Sequence, residues 1–389
     1  MRILIYTGKG GVGKTSMAAA AACRLAQSGR RVLIMSTDQA HSLGDSFDVR
    51  LGDEPKQIAE NLQALEIDTS VETRKAWGSL QDYMKEIINK KTQGKSLEVD
   101  EVLALPTLDE LFAMLRVLDV YRENSCDDLL IDCAPTGETL ALLRFPERLG
   151  QMVKRLLPFV RAFTFSAGFV VSKATNVPKP SDKVFRDFSK LTDRLMELQK
   201  IMSDPDITSI RIVTTPERIV LEEARRNYTW MHMYGFNVDA VIINRIYPES
   251  AMKGYFSTWI DVQRENLKLA KESFPGVKVF TMDLKDHELR GMEALSEAAG
   301  EVYKDTDLEE VFVKEEIFHI ENEDGYSVLV INLPYASADE ISVGQMNGDI
   351  LLTLRNERRR FQIPETVRER NFDHFEYKSG LLKVYLNIK

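Results

Sequence analysis

The chain has 389 residues, of which 44% are hydrophobic and 29% are charged. A chain of this length exceeds what one hydrophobic core usually organises, so we expect a globular protein of two domains, neither disordered nor embedded in a membrane. The formal net charge of −9 gives no general attraction to nucleic acids or anionic lipids. Nucleic-acid partners and stable membrane insertion are therefore not expected.

The first residues form an apolar segment that reaches a glycine-rich loop at Gly8. This leaves no room for a cleavable targeting segment, so a cytoplasmic location is expected. The most apolar stretch, Phe159 to Val171, contains Arg161 and is shorter than the roughly 18 residues of a membrane span. No transmembrane helix is predicted.

From residue 1 to about 303, short apolar segments alternate with longer segments of helical period, which predicts an α/β domain on a mostly parallel sheet. The segments 71–122 and 145–202 have no strand signal, and their periodicity predicts a helical subdomain within this domain. Ligands are expected at the carboxyl ends of the strands. The predicted strands are Arg2–Tyr6, Arg31–Ser36, Asp128–Asp132, Ile210–Thr214, Ala240–Asn244 and Lys278–Thr281.

The segment GKGGVGKT lies between the first strand and a helix predicted at Ser16–Gln27, which is the context of a Walker-A phosphate-binding loop. Its glycines let backbone N–H groups converge on phosphate oxygens, Lys14 adds positive charge, and the Thr15 hydroxyl is placed to bind Mg²⁺. ATP and Mg²⁺ are thus the predicted ligands. The predicted nucleotide-binding residues of this segment are Gly8, Lys9, Gly10, Gly11, Val12, Gly13, Lys14, Thr15 and Ser16.

Two aspartates follow or end predicted strands. Asp38 opens the segment DQAHSLGDSF after the second strand, and Asp132 opens the segment DCAPTGET at the end of the third. A carboxylate at the end of a buried strand beside a phosphate loop holds Mg²⁺ through water in P-loop enzymes. We assign this Walker-B role to Asp132, with a helix N-cap as the alternative.

Together, the loop and these two segments resemble the phosphate loop, switch I and switch II of the arsenical-pump and tail-anchored-protein-targeting ATPases, over residues 1–303. The resemblance implies that Asp38 orients the attacking water and that Gly137 lets an amide approach the γ-phosphate. It also implies that Asn244 reads adenine through its amide, with a loop-capping asparagine as the alternative. The chain departs from the family at Gln39, where proline is usual, and at Glu138, where histidine is frequent.

Lys9 is a second lysine inside the loop, which an ordinary P-loop does not need. In the deviant Walker-A class, which this loop resembles, that lysine reaches across a homodimer to the partner's nucleotide and takes part in catalysis. The alternative is a solvated surface lysine. The zinc-binding CxxC spacing of the eukaryotic targeting members is missing, so no zinc is expected.

After residue 303 the pattern changes. The charged segment 304–310 is interpreted as a linker, and residues 311–389 show alternating strands with turns, which predicts a small all-β domain. The alternative is a generic β-sandwich. The pattern of this region resembles the α-crystallin domain of small heat-shock proteins in the segments Leu333-Pro334, Asp339–Val343, Ile350–Leu354, Phe361–Pro364 and Gly380–Val384. Since each part shows its own core, a chain that ends near Asp305 is expected to fold and to hydrolyse ATP.

The resemblance implies a homodimeric, Mg²⁺-dependent ATPase that couples ATP to the binding of hydrophobic protein segments, as a targeting factor or chaperone. The apolar residues around 156–171 offer a client groove, although apolar stripes at helical spacing are more often core. Two alternatives stay open. One is an ATP-regulated holdase without significant turnover, and the other is a partition- or division-site-type ATPase.

Overall fold

The structure is a computed structural model that describes residues 1–38, 42–72, 75, 106–133, 181–254, 257–314 and 316–387. The chain divides into two compact units. The first contains Met1–Leu65, Cys126–Thr136 and Met202–Lys389, and the second contains Glu66–Ser125 and Gly137–Ile201. Within the described residues, no helix is both long enough and apolar enough to cross a membrane.

The main sheet of the described chain has eight strands in the order β3-β4-β2-β5-β1-β6-β7-β8. β1 pairs in parallel with β5 and β6, and the pairs β2–β5, β6–β7 and β7–β8 are also parallel. The expected mostly parallel sheet is confirmed. The strands are β1 Arg2–Thr7, β2 Val32–Ser36, β3 Lys56–Ala59, β4 Leu62–Glu66, β5 Asp128–Asp132, β6 Thr208–Thr214, β7 Val238–Ile246 and β8 Lys278–Asp283.

The hairpin of β3 and β4 was not predicted. Its strands are antiparallel and lie at the edge of the sheet, where Lys56 and Gln57 are exposed. An edge strand needs no continuous apolar run, because one side of it faces solvent. The predicted strands elsewhere all have counterparts within two residues at each end.

The helices of the described chain cover the sheet or form the second unit. α3 and α4 fall in the two segments for which helices were predicted, and they are joined by ion pairs of Asp119 with Arg194 (2.6 Å) and of Arg122 with Glu197. The proposed client groove lies outside the described residues. The helices are α1 Lys14–Gln27, α2 Ser42–Phe47, α3 Pro106–Glu123, α4 Asp182–Ser203, α5 Arg218–Tyr234, α6 Trp259–Glu272, α7 Gly291–Tyr303 and α8 Glu365–Arg368.

Small side chains fix α1 against the sheet. The run of alanines from Ala18 to Ala22 is fully buried, so the helix backbone lies close to its neighbours. The Tyr303 hydroxyl, on α7, donates a hydrogen bond to the Met17 carbonyl oxygen at 3.2 Å. These contacts hold the first turn of α1, and with it the glycine-rich loop, in a fixed position at the edge of the sheet.

Arg211 of β6 is fully buried, and its guanidinium is neutralised from several directions. Its Nε lies 3.2 Å from Asp239 Oδ1 of β7, and its Nη2 donates to the Leu308 carbonyl oxygen at 2.7 Å. Its Cζ atom lies 4.8 Å from the centre of the Phe312 ring. A buried charge is tolerated only when it is paired and hydrogen-bonded. The segment interpreted as a linker thus contributes Leu308, which is buried, to the core of the α/β domain.

The C-terminal residues form a sandwich of two antiparallel sheets, with strand orders β14-β15-β10-β9 and β11-β12-β13. The predicted all-β domain is confirmed. Asn347 and Gly348, both at positive φ, form the two-residue turn between β11 and β12, as their sequence signature indicates. The strands are β9 Phe318–Glu323, β10 Tyr326–Asn332, β11 Ile341–Met346, β12 Asp349–Leu354, β13 Glu357–Phe361, β14 Asn371–Lys378 and β15 Leu381–Asn387.

This β domain shares a core with α5. Met233 of α5 belongs to the buried cluster of the sandwich, and Trp230 packs against it. The Tyr234 hydroxyl donates to Glu357 at 3.1 Å, and the Arg225 guanidinium lies 4.8 Å from the ring of Tyr335. The two parts of the chain therefore do not have fully separate cores.

His232, one residue before Met233, is almost fully buried. Its ring lies 4.2 Å from that of Tyr228, and burial lowers its pKa to about 4. The His232 imidazole is therefore neutral, and it lies where α5 packs against the β domain.

A chain that ends at Asp305 is expected to melt at a lower temperature than one that ends at Lys314. Only the longer chain keeps Leu308 and Phe312 in contact with Arg211. In the shorter chain the buried Arg211 guanidinium loses the Leu308 carbonyl oxygen as its acceptor, and an unsatisfied buried donor lowers the free energy of unfolding by about 1–3 kcal/mol. Both are expected to melt below the full chain, because α5 loses the cover over Met233. Calorimetry on the three chains tests this, and equal melting temperatures would contradict the shared core.

Candidate functional site

The glycine-rich loop runs from the end of β1 to the start of α1 through a narrow space. Gly8 (φ 157°) and Gly13 (φ 93°) both have positive φ. A Cβ atom on Gly8 would lie 2.1 Å from the Val213 carbonyl oxygen, and one on Gly13 would lie 2.3 Å from Asn244 Nδ2. The ends of β6 and β7 therefore enclose the loop, and a side chain at either glycine would displace it.

Lys14 and Thr15 open α1 at the end of this loop. Lys14 is buried, and its Nζ donates to the Lys9 carbonyl oxygen at 3.5 Å, so the ammonium lies inside the curve of the loop. The Thr15 hydroxyl lies 3.2 Å from the hydroxyl of Ser42, the first residue of α2. The positive charge and the hydroxyl that the sequence predicts for a phosphate site are thus both at the helix start.

Asp132 ends β5 beside these groups and is fully buried. Burial raises its pKa to about 7, while the Thr15 hydroxyl and the Lys14 charge act in the opposite direction and the Asp38 charge raises it further. Its Oδ2 accepts a hydrogen bond from the Ser36 hydroxyl at 3.4 Å, and among the described residues its Oδ1 has no hydrogen-bond partner. A buried carboxylate oxygen in this position is suited to a water-mediated cation contact.

The residues present fit Mg²⁺. The free Oδ1 of Asp132 and the Thr15 hydroxyl are hard oxygen ligands, which Mg²⁺ prefers, and Mg²⁺ retains waters when few protein ligands are present. Asp38 follows β2, and its backbone N–H donates to the Ser36 hydroxyl at 3.2 Å. Ser36 therefore links the two aspartates. Gly137, predicted at the same site, lies outside the described residues.

The Asn244 side-chain amide forms hydrogen bonds through both its nitrogen and its oxygen, and it holds the loop in place. Its Nδ2 donates to the Val12 carbonyl oxygen at 2.9 Å, and its Oδ1 accepts from the Arg245 backbone N–H at 2.8 Å. Arg245 has φ 59°, at the point where the β7–β8 pairing shifts register. The geometry supports the loop-capping alternative, and adenine reading stays a prediction.

A cavity of about 520 Å³ opens beside the start of α1, lined in part by Gly13, Ser16 and Asn244. Its other wall is the end of β8 and the loop that follows, including Asp283, Lys285 and Arg290, which the sequence analysis did not single out. The available signal was topological, because β8 is parallel to β7 and its carboxyl end meets the same edge of the sheet. The cavity is placed to receive the nucleoside of a nucleotide whose phosphates lie on the loop.

Lys9 extends from the loop to the surface of α5. Its Nζ lies 3.3 Å from Glu223 Oε2, and its side chain is 40% exposed. The two lysines of the loop thus occupy different environments, because Lys14 is buried against the loop while the Lys9 ammonium is at the surface.

A phosphate loop whose lysine and threonine lie beside a buried strand-end aspartate defines a P-loop nucleoside triphosphatase. The family model of the anion-transporting ATPases matches residues 1–304, and the model of the HSP20-like domain found in ArsA matches residues 323–386. The chain belongs to the anion-transporting ATPase family, and it is an ATPase with a C-terminal HSP20-like domain.

Three similar proteins each cover three quarters or more of the chain. A putative arsenical pump-driving ATPase 1 of Aquifex aeolicus is 34% identical over 378 residues, which are 95% of each chain. A putative arsenical pump-driving ATPase of Chlorobaculum tepidum is 34% identical over 373 residues, 94% of this chain and 91% of the relative. ATPase ASNA1 homolog 1 of Paramecium tetraurelia is 28% identical over 304 residues, 76% of this chain and 91% of the relative.

Replacing Asn244 with Ala is expected to lower the affinity for ATP and for GTP by the same factor, because the side chain bonds to the loop backbone and not to the base. The expected factor is about tenfold, which corresponds to the loss of one or two hydrogen bonds. Calorimetric titration with both nucleotides measures this. Ser46→Ala, in the same cavity, is the control, since its hydroxyl bonds within α2 to the Ser42 carbonyl oxygen. A loss confined to ATP would establish adenine reading instead.

Proposed function

We propose that the chain is a Mg²⁺-dependent, homodimeric ATPase whose ATP cycle controls the binding of a hydrophobic protein segment. One observation carries the hydrolytic part. Three neighbouring strands, β1, β2 and β5, end at one edge of the sheet and supply the phosphate loop, Asp38 and Asp132. Positive charge, a hydroxyl and two carboxylates thereby surround the place where the loop receives phosphates.

The phosphates of ATP bind to the backbone N–H groups of the loop and to Lys14. Thr15 and Asp132 would hold Mg²⁺, Asp132 through water, and the cation would supply positive charge beside the phosphates. Asp38 accepts a hydrogen bond from the attacking water and orients it in line with the bond to the leaving oxygen. The water oxygen bonds to the γ-phosphorus as that bond breaks, and the bonding electron pair leaves with ADP. The products are ADP, phosphate and one proton, which passes from the water to solvent.

The position of Lys9 supports a second protomer. Its ammonium is paired with Glu223 on α5 and is partly exposed, while Lys14 already occupies the inside of the loop. An exposed ion pair contributes at most about 1 kcal/mol, so the Lys9–Glu223 contact is easily exchanged for a partner's phosphate. Lys9 is therefore well placed to act on the nucleotide of the other chain.

Client binding rests on the relationship to the targeting ATPases and on exposed apolar side chains such as Met196 of α4, which is 64% exposed. The cysteines of this chain do not favour the arsenical pumping for which relatives are named. Cys23 and Cys126 are buried, and burial raises the pKa of their thiols to about 12 and about 11. Such thiols provide little of the thiolate that binds soft metalloids.

Replacing Asp38 with Asn is expected to leave the dissociation constant for ATP within a few-fold and to lower turnover by about 100-fold or more, because only the water-orienting carboxylate is lost. Lys14→Ala, as a contrast, is expected to weaken ATP binding itself, since it removes a direct charge on the phosphates. Titration calorimetry and phosphate release measure the two effects. Unchanged turnover in the Asp38 variant would refute its assignment.

Lys9→Ala and Lys14→Ala chains are each expected to be nearly inactive alone and to recover activity when mixed and allowed to exchange. In a mixed dimer, the Lys9→Ala chain keeps its own Lys14 and receives Lys9 from the partner. An equal mixture should reach about a quarter of wild-type turnover, because half of the dimers are mixed and each has one complete site. If exchange is demonstrated and activity stays absent, Lys9 does not act in trans.

A further inference from the structure

Arg245, near the end of β7, has an unusual backbone conformation. Its φ of 59° lies in the left-handed region, which residues other than glycine rarely adopt, and the β7–β8 pairing shifts register between Ile243 and Ile246. The Asn244 Oδ1 atom accepts a hydrogen bond from the Arg245 backbone N–H at 2.8 Å, which helps to fix this conformation. Irregularities of this kind change the direction of a side chain, and they are frequent beside ligand sites.

Arg245 is exposed, and it lines the cavity of about 520 Å³ beside the start of α1. Two other basic residues of the cavity wall are in ion pairs, Lys285 with Glu301 and Arg290 with Asp48. The Arg245 guanidinium has neither an ion-pair partner nor a hydrogen-bond acceptor within the described part of the chain. It therefore offers the cavity a planar cation that is available to a ligand.

Asn244 separates Arg245 from the place where the loop receives phosphates. The Asn244 Nδ2 atom donates to the Val12 carbonyl oxygen of the loop at 2.9 Å, while its Oδ1 is engaged by the Arg245 backbone. The loop N–H groups and Lys14 lie on the loop side of this amide. A nucleotide with its phosphates on the loop therefore brings its nucleoside to Arg245. Because the Asn244 amide is engaged at both ends, contact with the base falls to another residue.

We propose that Arg245 holds the base of the bound nucleotide by stacking its guanidinium on the purine ring. This inference rests on the proposed ATP site, with the nucleoside in the cavity. A guanidinium is planar and weakly hydrated, and it stacks on aromatic faces more readily than an ammonium group does. Adenine and guanine share such a face, so this contact contributes affinity without selecting between them.

The test measures the binding of ATP, GTP and inorganic tripolyphosphate to the full chain in Mg²⁺ by titration calorimetry. Arg245→Ala is expected to lower the affinities for ATP and for GTP by about tenfold each. The affinity for tripolyphosphate should not change, because that anion has no base. In turnover assays the KM for ATP should rise by a similar factor while kcat stays within about twofold, since the base is remote from the reacting phosphate.

Two further variants and a matched control separate stacking from charge and from backbone strain. Arg245→Gly removes the side chain and adopts φ 59° without strain, so it should show the same loss as Arg245→Ala. Arg245→Lys keeps the positive charge without the planar group and should not restore the affinity. The control is Arg355→Ala, at an arginine with φ 54° in the turn between β12 and β13, which should change none of the affinities.

The outcomes also separate this inference from the proposed function. Equal losses for ATP and tripolyphosphate would show that Arg245 contacts phosphates, and full recovery with Arg245→Lys would show that charge alone suffices. Either result overturns the inference, as does a loss confined to ATP, which would indicate hydrogen-bonded reading of adenine. Unchanged ATP affinity in both the Ala and the Gly variants overturns it while the ATP site stands. If the wild type binds neither ATP nor tripolyphosphate, the proposed function fails as well.

Discussion

The phosphate-binding loop must pass between the carboxyl ends of β6 and β7 without a Cβ atom at two of its residues. Val213 limits the loop at Gly8, and Asn244 limits it at Gly13. Because the loop is enclosed in this way, its N–H groups, Lys14 and the start of α1 are held in place before a nucleotide binds. The preorganised amides then need little reorganisation to accept phosphate charge, which is the condition for efficient phosphoryl transfer.

α5 connects two parts of the chain that are distant in the sequence. Glu223 near its start contacts Lys9 of the phosphate loop, and Met233 near its end lies in the core of the β domain. The HSP20-like domain is therefore packed against the helix that bears the Lys9 contact. We interpret the β domain as a structural support of this helix as well as a separate module.

The sequence allowed the central strands and the phosphate site to be predicted, because both depend on local patterns. The centres of β1 and β5 are apolar, and the loop motif requires its glycines, Lys14 and Thr15 close together in the chain. Contacts between distant segments could not be predicted. The residues around Lys9 and Glu223 in the sequence do not indicate that the two side chains form an ion pair. In the sequence, Arg211 is an isolated charge in an apolar strand, and only the fold brings Asp239 and Leu308 into contact with it. The β3–β4 hairpin was missed because neither of its short strands has a continuous apolar run: β3 is an edge strand with exposed polar residues, and β4 is interrupted by Gln63.

The central claim is that two copies of the chain are needed to complete each ATP site. The most direct test is to measure turnover per chain over a range of protein concentrations. The range should span the monomer–dimer transition, which is determined on the same samples. If Lys9 of each copy serves the other, turnover per chain should rise in proportion to the dimer fraction and level off when dimerisation is complete. Turnover per chain that stays constant while the protein passes from monomer to dimer would contradict the account.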